Sequence, residues 1–254
     1  EHLLDRRHAV PAVAVTIPTG PAAVEAGRRL ATVYGCMNGC HGDKGQGTVF
    51  FDDPAVARLT APNLTASVRR YNDAQLIGII RDGVRPDGTS VFIMPSNCFS
   101  ALTDDDLGHI VAFLRTLPAL DGPNAARSLG PLGRLGVVTG EFRTAAQLIS
   151  EHVEPPPARA ADAEHGRYLA QTICAECHGR TLQGDSNPDF TSPNLGVVAA
   201  YSAGDFTRLM RTGVAVGDRK LGLMRLRAER NFSHLTDDEI ASLYRYLHGL
   251  AAPK

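Results

Sequence analysis

The chain has 254 residues, enough for one large domain or for two of about 100–130 residues each. Hydrophobic residues make up 43% and charged residues 21%, an ordinary globular balance, and a net charge of −1 argues against nucleic acid or an anionic membrane surface as the main partner. Trp is absent and aromatics reach only 6%, so two small domains would have thin cores unless a buried non-protein group filled them.

In chain order, a helical stretch Glu25-Ala26-Gly27-Arg28-Arg29-Leu30-Ala31 leads into Cys36-Met37-Asn38-Gly39-Cys40-His41, followed by Ala61-Pro62-Asn63-Leu64-Thr65. A further helix from Leu76 to Arg81 ends at Gly83, where glycine serves as a left-handed C-cap. Met94-Pro95 follows a turn. Thr103 with Asp106 three residues on then opens another helix as a capping-box arrangement, with Leu107, Ile110, Val111 and Leu114 at helical spacing and Pro118 as its stop. Residues 119–160 form a connection with a helical pattern over Glu141 to Glu151, where Phe142, Ala145, Ala146 and Ile149 share one side, and a stiff tract from Pro155 to Pro157. A connection of this length is seldom slack, so it is expected to be ordered, to lie across both halves and to fix the distance between their centres.

The plan is then written a second time. Glu164 to Ala170 matches Glu25 to Ala31, Cys174-Ala175-Glu176-Cys177-His178 matches the first Cys-His signature, and Ser192-Pro193-Asn194-Leu195-Gly196 matches the Pro-Asn-Leu segment. Phe206 to Arg211, ending at Gly213, matches Leu76 to Arg81. From Leu76 to Met94 the second half follows without a gap at an offset of 130, which places Met224 opposite Met94. Thr236 with Glu239 opens the closing helix, with Ile240, Leu243, Tyr244 and Leu247 at helical spacing and Gly249 placed to end it. No convincing alternating strand interrupts either half, so an all-α chain is expected, with domains over 20–118 and 161–251 and a linker over 119–160. Gly27 and Gly166, each costing about 1 kcal/mol inside a helix, are expected to mark close crossings with the closing helices under Phe113 and Tyr246.

Cys174 to His178 reads C-x-x-C-H, the attachment sequence of a c-type haem. Two thiols on adjacent turns can each bond one vinyl group of the porphyrin, and the histidine that follows is the proximal ligand. His41 and His178 are therefore expected to bind iron through one ring nitrogen, with the other donating to a backbone carbonyl of the Pro62 and Pro193 segments. Met94 and Met224 are expected to close the sixth positions with thioether sulfur, and two covalent haems c follow. The first signature carries one extra residue, C-x-x-x-C-H, moving Cys36 from three to four residues before Cys40. Both spacings keep two side chains on one helix face, so attachment through both thiols is feasible, with attachment through Cys40 alone the alternative.

Other residues have bland and functional readings. Arg81 and Arg211, at matched helix ends, could each bind a haem propionate by two parallel hydrogen bonds or be ordinary solvated arginines. The pairs Asp104-Asp105 and Asp237-Asp238 suit helix dipoles. Met210 and Met37 suit packing. Cys98, the thiol left over from the two signatures, could be buried and inert, could replace Met94 on iron, or could be a reactive surface thiol. Neither a signal peptide nor a membrane span is evident. Because covalent haem attachment is associated with chemistry outside the cytoplasm, a periplasmic site is expected, with an export signal or membrane anchor that is no longer part of this chain.

The attachment signatures, the Pro-Asn-Leu segments, the Arg-x-Gly-Val turns (Arg81 to Val84, Arg211 to Val214), Met94-Pro95 and the Leu-Thr-Asp-Asp helix starts together resemble bacterial diheme cytochromes c with two class-I-like domains, from about Val24 to Leu250. The resemblance is greatest to cytochrome subunits of periplasmic or membrane-bound dehydrogenases. It implies an electron carrier between a dehydrogenase-type donor and a downstream oxidase or carrier, not itself an enzyme. A diheme enzyme of peroxidase or thiosulfate-oxidising type is the rival, for which only Cys98 speaks. A pair of zinc sites is the third reading, and it leaves the matched methionines without a purpose, since thioether is a poor zinc ligand.

Overall fold

The computed structural model describes residues 4–123, 127–151, 155–156, 161–186 and 191–250; Pro157 and Ala160 of the connection lie outside them. Two units emerge, Glu1–His152 and Val153–Lys254.

In the first unit, helix α1 (Pro21–Val33) opens with proline in its first turn, where the missing N–H is no loss. Strands β1 (Thr48–Asp53) and β2 (Ala57–Ala61) form an antiparallel hairpin, bulged between Val49 and Phe51. Short helices α2 (Leu64–Arg70), α3 (Asp73–Ile77) and α4 (Ser96–Phe99) follow, α3 continuing as a π-turn over Gly78–Asp82 that ends at Gly83 with φ +65°. Helix α5 (Asp104–Leu114) begins at Thr103, whose hydroxyl accepts from the Asp106 N–H, and carries Asp104, Asp105 and Asp106 in its first turn. Strand β3 (Ser128–Leu129), helix α6 (Pro131–Thr139) and helix α7 (Ala145–Ser150) complete the unit. α7 falls within the helical stretch read from 141 to 151.

The hairpin corrects the strand-free expectation. Thr48-Val49-Phe50-Phe51 favours a pleated surface, and the Asp53 carboxylate caps the turn by accepting from the N–H groups of Ala55 and Val56. β3 pairs with β2 through Ala57–Leu129 and Arg58–Ser128. The sheet thus gathers Leu4, Ala57, Leu129 and Val137 into a small core flanked by Phe51, Leu59, Phe92 and Phe142. Much of the connection is built into the first unit through these contacts.

The second unit runs through helix α8 (Glu164–Leu169), a π-turn over Ala170–Cys174, helix α9 (Ala175–His178), and strands β4 (Asp185–Ser186) and β5 (Thr191–Ser192). A 3₁₀ turn over Leu195–Ala200 precedes helices α10 (Ala203–Thr212), α11 (Gly222–Arg230) and α12 (Asp237–Leu250). α12 runs past Gly249, correcting the expected stop there: that glycine is not left-handed and meets nothing within 4 Å. The box at its start is complete, Thr236 N–H donating to the Glu239 carboxylate and Glu239 N–H to the Thr236 hydroxyl.

Each unit has the glycine crossing anticipated from the repeat. A methyl on Gly27 would sit 1.9 Å from the His109 carbonyl oxygen and 2.9 Å from Phe113 Cβ; one on Gly166 would sit 2.0 Å from the Ser242 oxygen and 2.8 Å from Tyr246 Cβ. Backbone thus touches backbone where α1 meets α5 and where α8 meets α12. Tyr246 is further pinned by donating its hydroxyl to the Pro156 carbonyl at 2.7 Å, and burial pushes its pKa up to about 12. Among the described residues no helix is long and apolar enough to cross a membrane.

Candidate haem-attachment sites

The second signature is helical. Cys174 ends the π-turn and Cys177 and His178 lie in α9, so the two thiols, three residues apart, share a face. The first is not. Met37 (φ −103°, ψ 152°), Asn38 (φ 57°, ψ 20°) and Gly39 (φ −140°, ψ −130°) leave the helix between Cys36 and Cys40. The extra residue is therefore looped out rather than accommodated on a helix face, which corrects the geometry assumed from spacing. Asn and Gly are the residue types that tolerate such backbone.

Behind each signature the histidine is held in the same way. His41 Nδ1 lies 2.8 Å from the Pro62 carbonyl oxygen, and His178 Nδ1 lies 2.8 Å from that of Pro193. A carbonyl only accepts, so Nδ1 carries the proton and the Nε2 lone pair is left for a metal. Burial pulls both imidazole pKa values down, against the opposing pull of the proline carbonyl. The rings are thus neutral near pH 7, the form that ligates iron.

The Pro-Asn-Leu segments explain themselves once placed. Proline supplies the accepting carbonyl, and the following asparagine caps the next turn: Asn63 accepts from the N–H groups of Thr65 and Ala66, and Asn194 from that of Gly196. Two glycines missed from sequence complete the assembly. Gly47 (φ +83°) and Gly184 (φ +92°) each stand six residues after the histidine and donate their N–H to its carbonyl, at 2.8 and 3.0 Å. A methyl on Gly47 would lie 2.7 Å from the Ala61 oxygen, and one on Gly184 2.5 Å from the Ser192 oxygen. The matched His-x-x-x-x-x-Gly spacing was the available signal. A hydroxyl also ties each loop: Thr48 Oγ1 donates to the Cys40 carbonyl at 2.7 Å, and Ser192 Oγ to that of Cys177 at 2.5 Å.

The two methionines stand in different settings. Met94 is half-buried in a bend between Ile93, left-handed at φ +72°, and Pro95, which caps α4. Met224 is half-buried near the start of α11. Met210 and Met37 are buried at 2% and 7% exposure, as packing residues should be. Cys98 lies in α4 at 1% exposure.

Both arginines reach the start of the closing helix. Arg81 Nη1 lies 2.5 Å from Asp104 Oδ1. Arg211 donates to the Ser233 and Leu235 carbonyls and to Asp237 Oδ1 at 2.6, 2.5 and 2.7 Å. One function of this pair is therefore to tie the helix before the methionine segment to the N-terminus of the last helix. Among the described residues no group of three His, Cys, Asp or Glu side chains converges as a metal-holding cluster. The donor set instead fits a haem: two thiols for thioether bonds and one neutral imidazole with a free Nε2, present in each unit.

Two helical units, each built around a cysteine pair and a carbonyl-oriented histidine, define a haem protein of the c type. The family model described as cytochrome c matches residues 24–118 and 163–251, and the chain belongs to the cytochrome c family, whose members are haem-binding electron-transport proteins. It is similar to a fructose dehydrogenase cytochrome subunit of Gluconobacter japonicus, 23% identical over 75% of this chain and 43% of the relative. It is also similar to a diheme cytochrome c-type protein of Cereibacter sphaeroides, 25% identical over 76% and 70%. A gluconate 2-dehydrogenase cytochrome c subunit of Pantoea cypripedii is 22% identical over 91% and 60%. The chain thus spans less than two thirds of the dehydrogenase subunits it matches.

Proposed function

We propose that the chain is a two-haem electron carrier outside the cytoplasm, passing electrons from a dehydrogenase-type donor to an oxidase or a further carrier. The observation that supports this most is the repeated proximal assembly, His41 on Pro62 and His178 on Pro193, each beside its cysteine pair. The name of the Cereibacter relative supports two haems, and the names of the dehydrogenase cytochrome subunits support the donor class.

A bound haem c would supply one-electron exchange at its iron. In this reading Cys36, Cys40, Cys174 and Cys177 would hold the porphyrins, and His41 and His178 would bind iron, with basicity raised by the proline carbonyls. Met94 and Met224 would be the further iron-holding side chains, and a His/Met donor set would favour a high potential and electron transfer. Arg81 and Arg211 would serve propionates while keeping their anchoring bonds to Asp104 and Asp237. The deep burial of Cys98 supports the carrier over the enzyme reading.

The test is carbon monoxide binding to the fully reduced protein at neutral pH. The carrier reading expects both haems to reduce and neither to bind it rapidly. Rapid stoichiometric binding would overturn His/Met closure of both irons.

A further inference from the structure

The sharpest difference between the two halves is electrical, and it falls on the methionine segments. Residues 88–102 of the first unit contain no Asp, Glu, Lys or Arg. The segment aligned with it at the offset of 130, residues 218–232, contains five basic residues (Arg219, Lys220, Arg225, Arg227, Arg230) and two acidic ones (Asp218, Glu229).

The structure sorts these charges. Arg225 pairs with Glu229 at 2.7 Å and Arg227 with Glu176 at 3.5 Å, while Asp218 is taken by Arg208 at 2.8 Å. Arg219, Lys220 and Arg230 are exposed, and among the described residues none of the three enters an ion pair. Leu223 and Leu226, 49% and 48% exposed, share one side of α11 with Arg230 at i, i+3 and i+7 spacing. The segment that carries Met224 thus exposes three cations outside any ion pair among the described residues, together with two exposed leucines. Residues 88–102 around Met94 contribute no charge of their own, with Ile93 exposed at 45%; the cations that reach the segment come from elsewhere, Arg127 over Phe92 and paired with Asp5, and Arg85 donating to the Ser90 carbonyl.

We propose that the α11 face of the second unit is the docking site for a soluble redox protein with an acidic surface, and that the Met94 segment, which brings no charge of its own, does not take that partner. Charge complementarity carries the choice. Opposed charges steer encounter and raise association rates by about 10 to 1,000-fold, an effect that salt removes. An anionic membrane is less well matched, because polybasic lipid-binding segments use about four to eight Lys or Arg and α11 has no aromatic side chain.

The inference rests on reading Met224 as an iron ligand, and the two can fail separately. The absorption spectrum of the holoprotein reports haem c and thioether ligation; the salt dependence reports the patch. The test uses the holoprotein with both haems reduced, mixed in stopped flow with an acidic blue-copper protein as oxidant, from about 10 to 300 mM ionic strength. The second-order rate is expected to fall steeply with salt. The combined Arg219→Gln, Lys220→Gln and Arg230→Gln variant is expected to lose at least about fivefold of the low-salt rate with its spectrum unchanged. A rate insensitive to salt, or equal in the variant, overturns the proposal. Co-sedimentation with vesicles of phosphatidylcholine and phosphatidylglycerol is expected to be absent. Sedimentation of the wild type that is lost in the variant assigns the patch to a membrane and also overturns it.

Discussion

Gly166 meets the Ser242 carbonyl so closely that a methyl on the glycine would lie 2.0 Å from that oxygen. The helix before the second Cys-His signature is therefore seated on the closing helix by backbone contact, with Tyr246 laid over the junction. Gly27 and His109 repeat the arrangement in the first unit at 1.9 Å. Carbonyl oxygens in a helix cannot give way as a flexible side chain can, so Gly27→Ala and Gly166→Ala should each destabilise the fold by about 1–3 kcal/mol or more. Chemical denaturation of each variant checks this; an unchanged midpoint would contradict the crossing.

The positioning glycines give a second expectation. Gly184→Ala must adopt φ +92° and push its methyl against the Ser192 oxygen, moving the strand end that carries the Pro193 carbonyl. Stability should fall by about 1–3 kcal/mol, and the potential of the second haem should shift while the first keeps its own. Gly47→Ala should do the reverse. A potentiometric titration of both variants separates the outcomes.

Ile93 is a β-branched residue in left-handed backbone whose side chain remains 45% exposed, so burial does not compensate the conformation. Neighbouring bonds impose it: Val91 N–H donates to the Gly83 carbonyl and Ser96 N–H to that of Met94. Ile93→Gly should remove roughly 1–2 kcal/mol of strain against a somewhat smaller gain in unfolded-chain entropy. The thermal midpoint should therefore hold or rise slightly. A fall of many degrees would show that the side chain carries weight the fold does not reveal.

Asp82 supplies the pH dependence. Burial raises its carboxyl pKa above the ordinary 3.8, with Arg81 pulling the other way, and Oδ2 is buried without a hydrogen-bond partner. A raised carboxyl binds its proton more tightly in the folded state, so its contribution to stability is greatest below about pH 4 and is lost as pH rises through the folded value. Asp82→Asn should melt a few degrees above the wild type at pH 7, and the gap should close below about pH 4. A gap that widens on acidification would reverse the sign.

Much of this was legible because the chain repeats itself. The signatures, the Pro-Asn-Leu segments, the capped closing helices and the glycine crossings are local patterns seen twice, and each recurrence checks the other. The hairpin at Thr48 to Ala61 was missed because only the first half carries a long one; its counterpart shrinks to Asp185-Ser186 against Thr191-Ser192. The looped-out residue at Asn38 was missed because spacing assumes a regular helix, whereas Asn-Gly favours departure from it. Leu182 shows how a tertiary setting overrides propensity: aligned with left-handed Gly45, it adopts φ +59° and is wholly buried. The ion pairs of Arg81 and Arg211 depend on side chains 23 and 26 residues away, beyond what local pattern conveys.

Met94 and Met224 make separable claims. Met94→Ala and Met224→Ala should each open one iron, so that each reduced variant binds one molecule of carbon monoxide and the affected haem loses potential. A variant that binds none would show that its methionine is not a ligand.

The most direct test of the whole account is the intact mass of the purified holoprotein under denaturing conditions, since only thioether-bonded groups survive them. Two covalent anchoring sites predict the mass of the chain plus two haem groups. A mass with one haem, or with none, would contradict it.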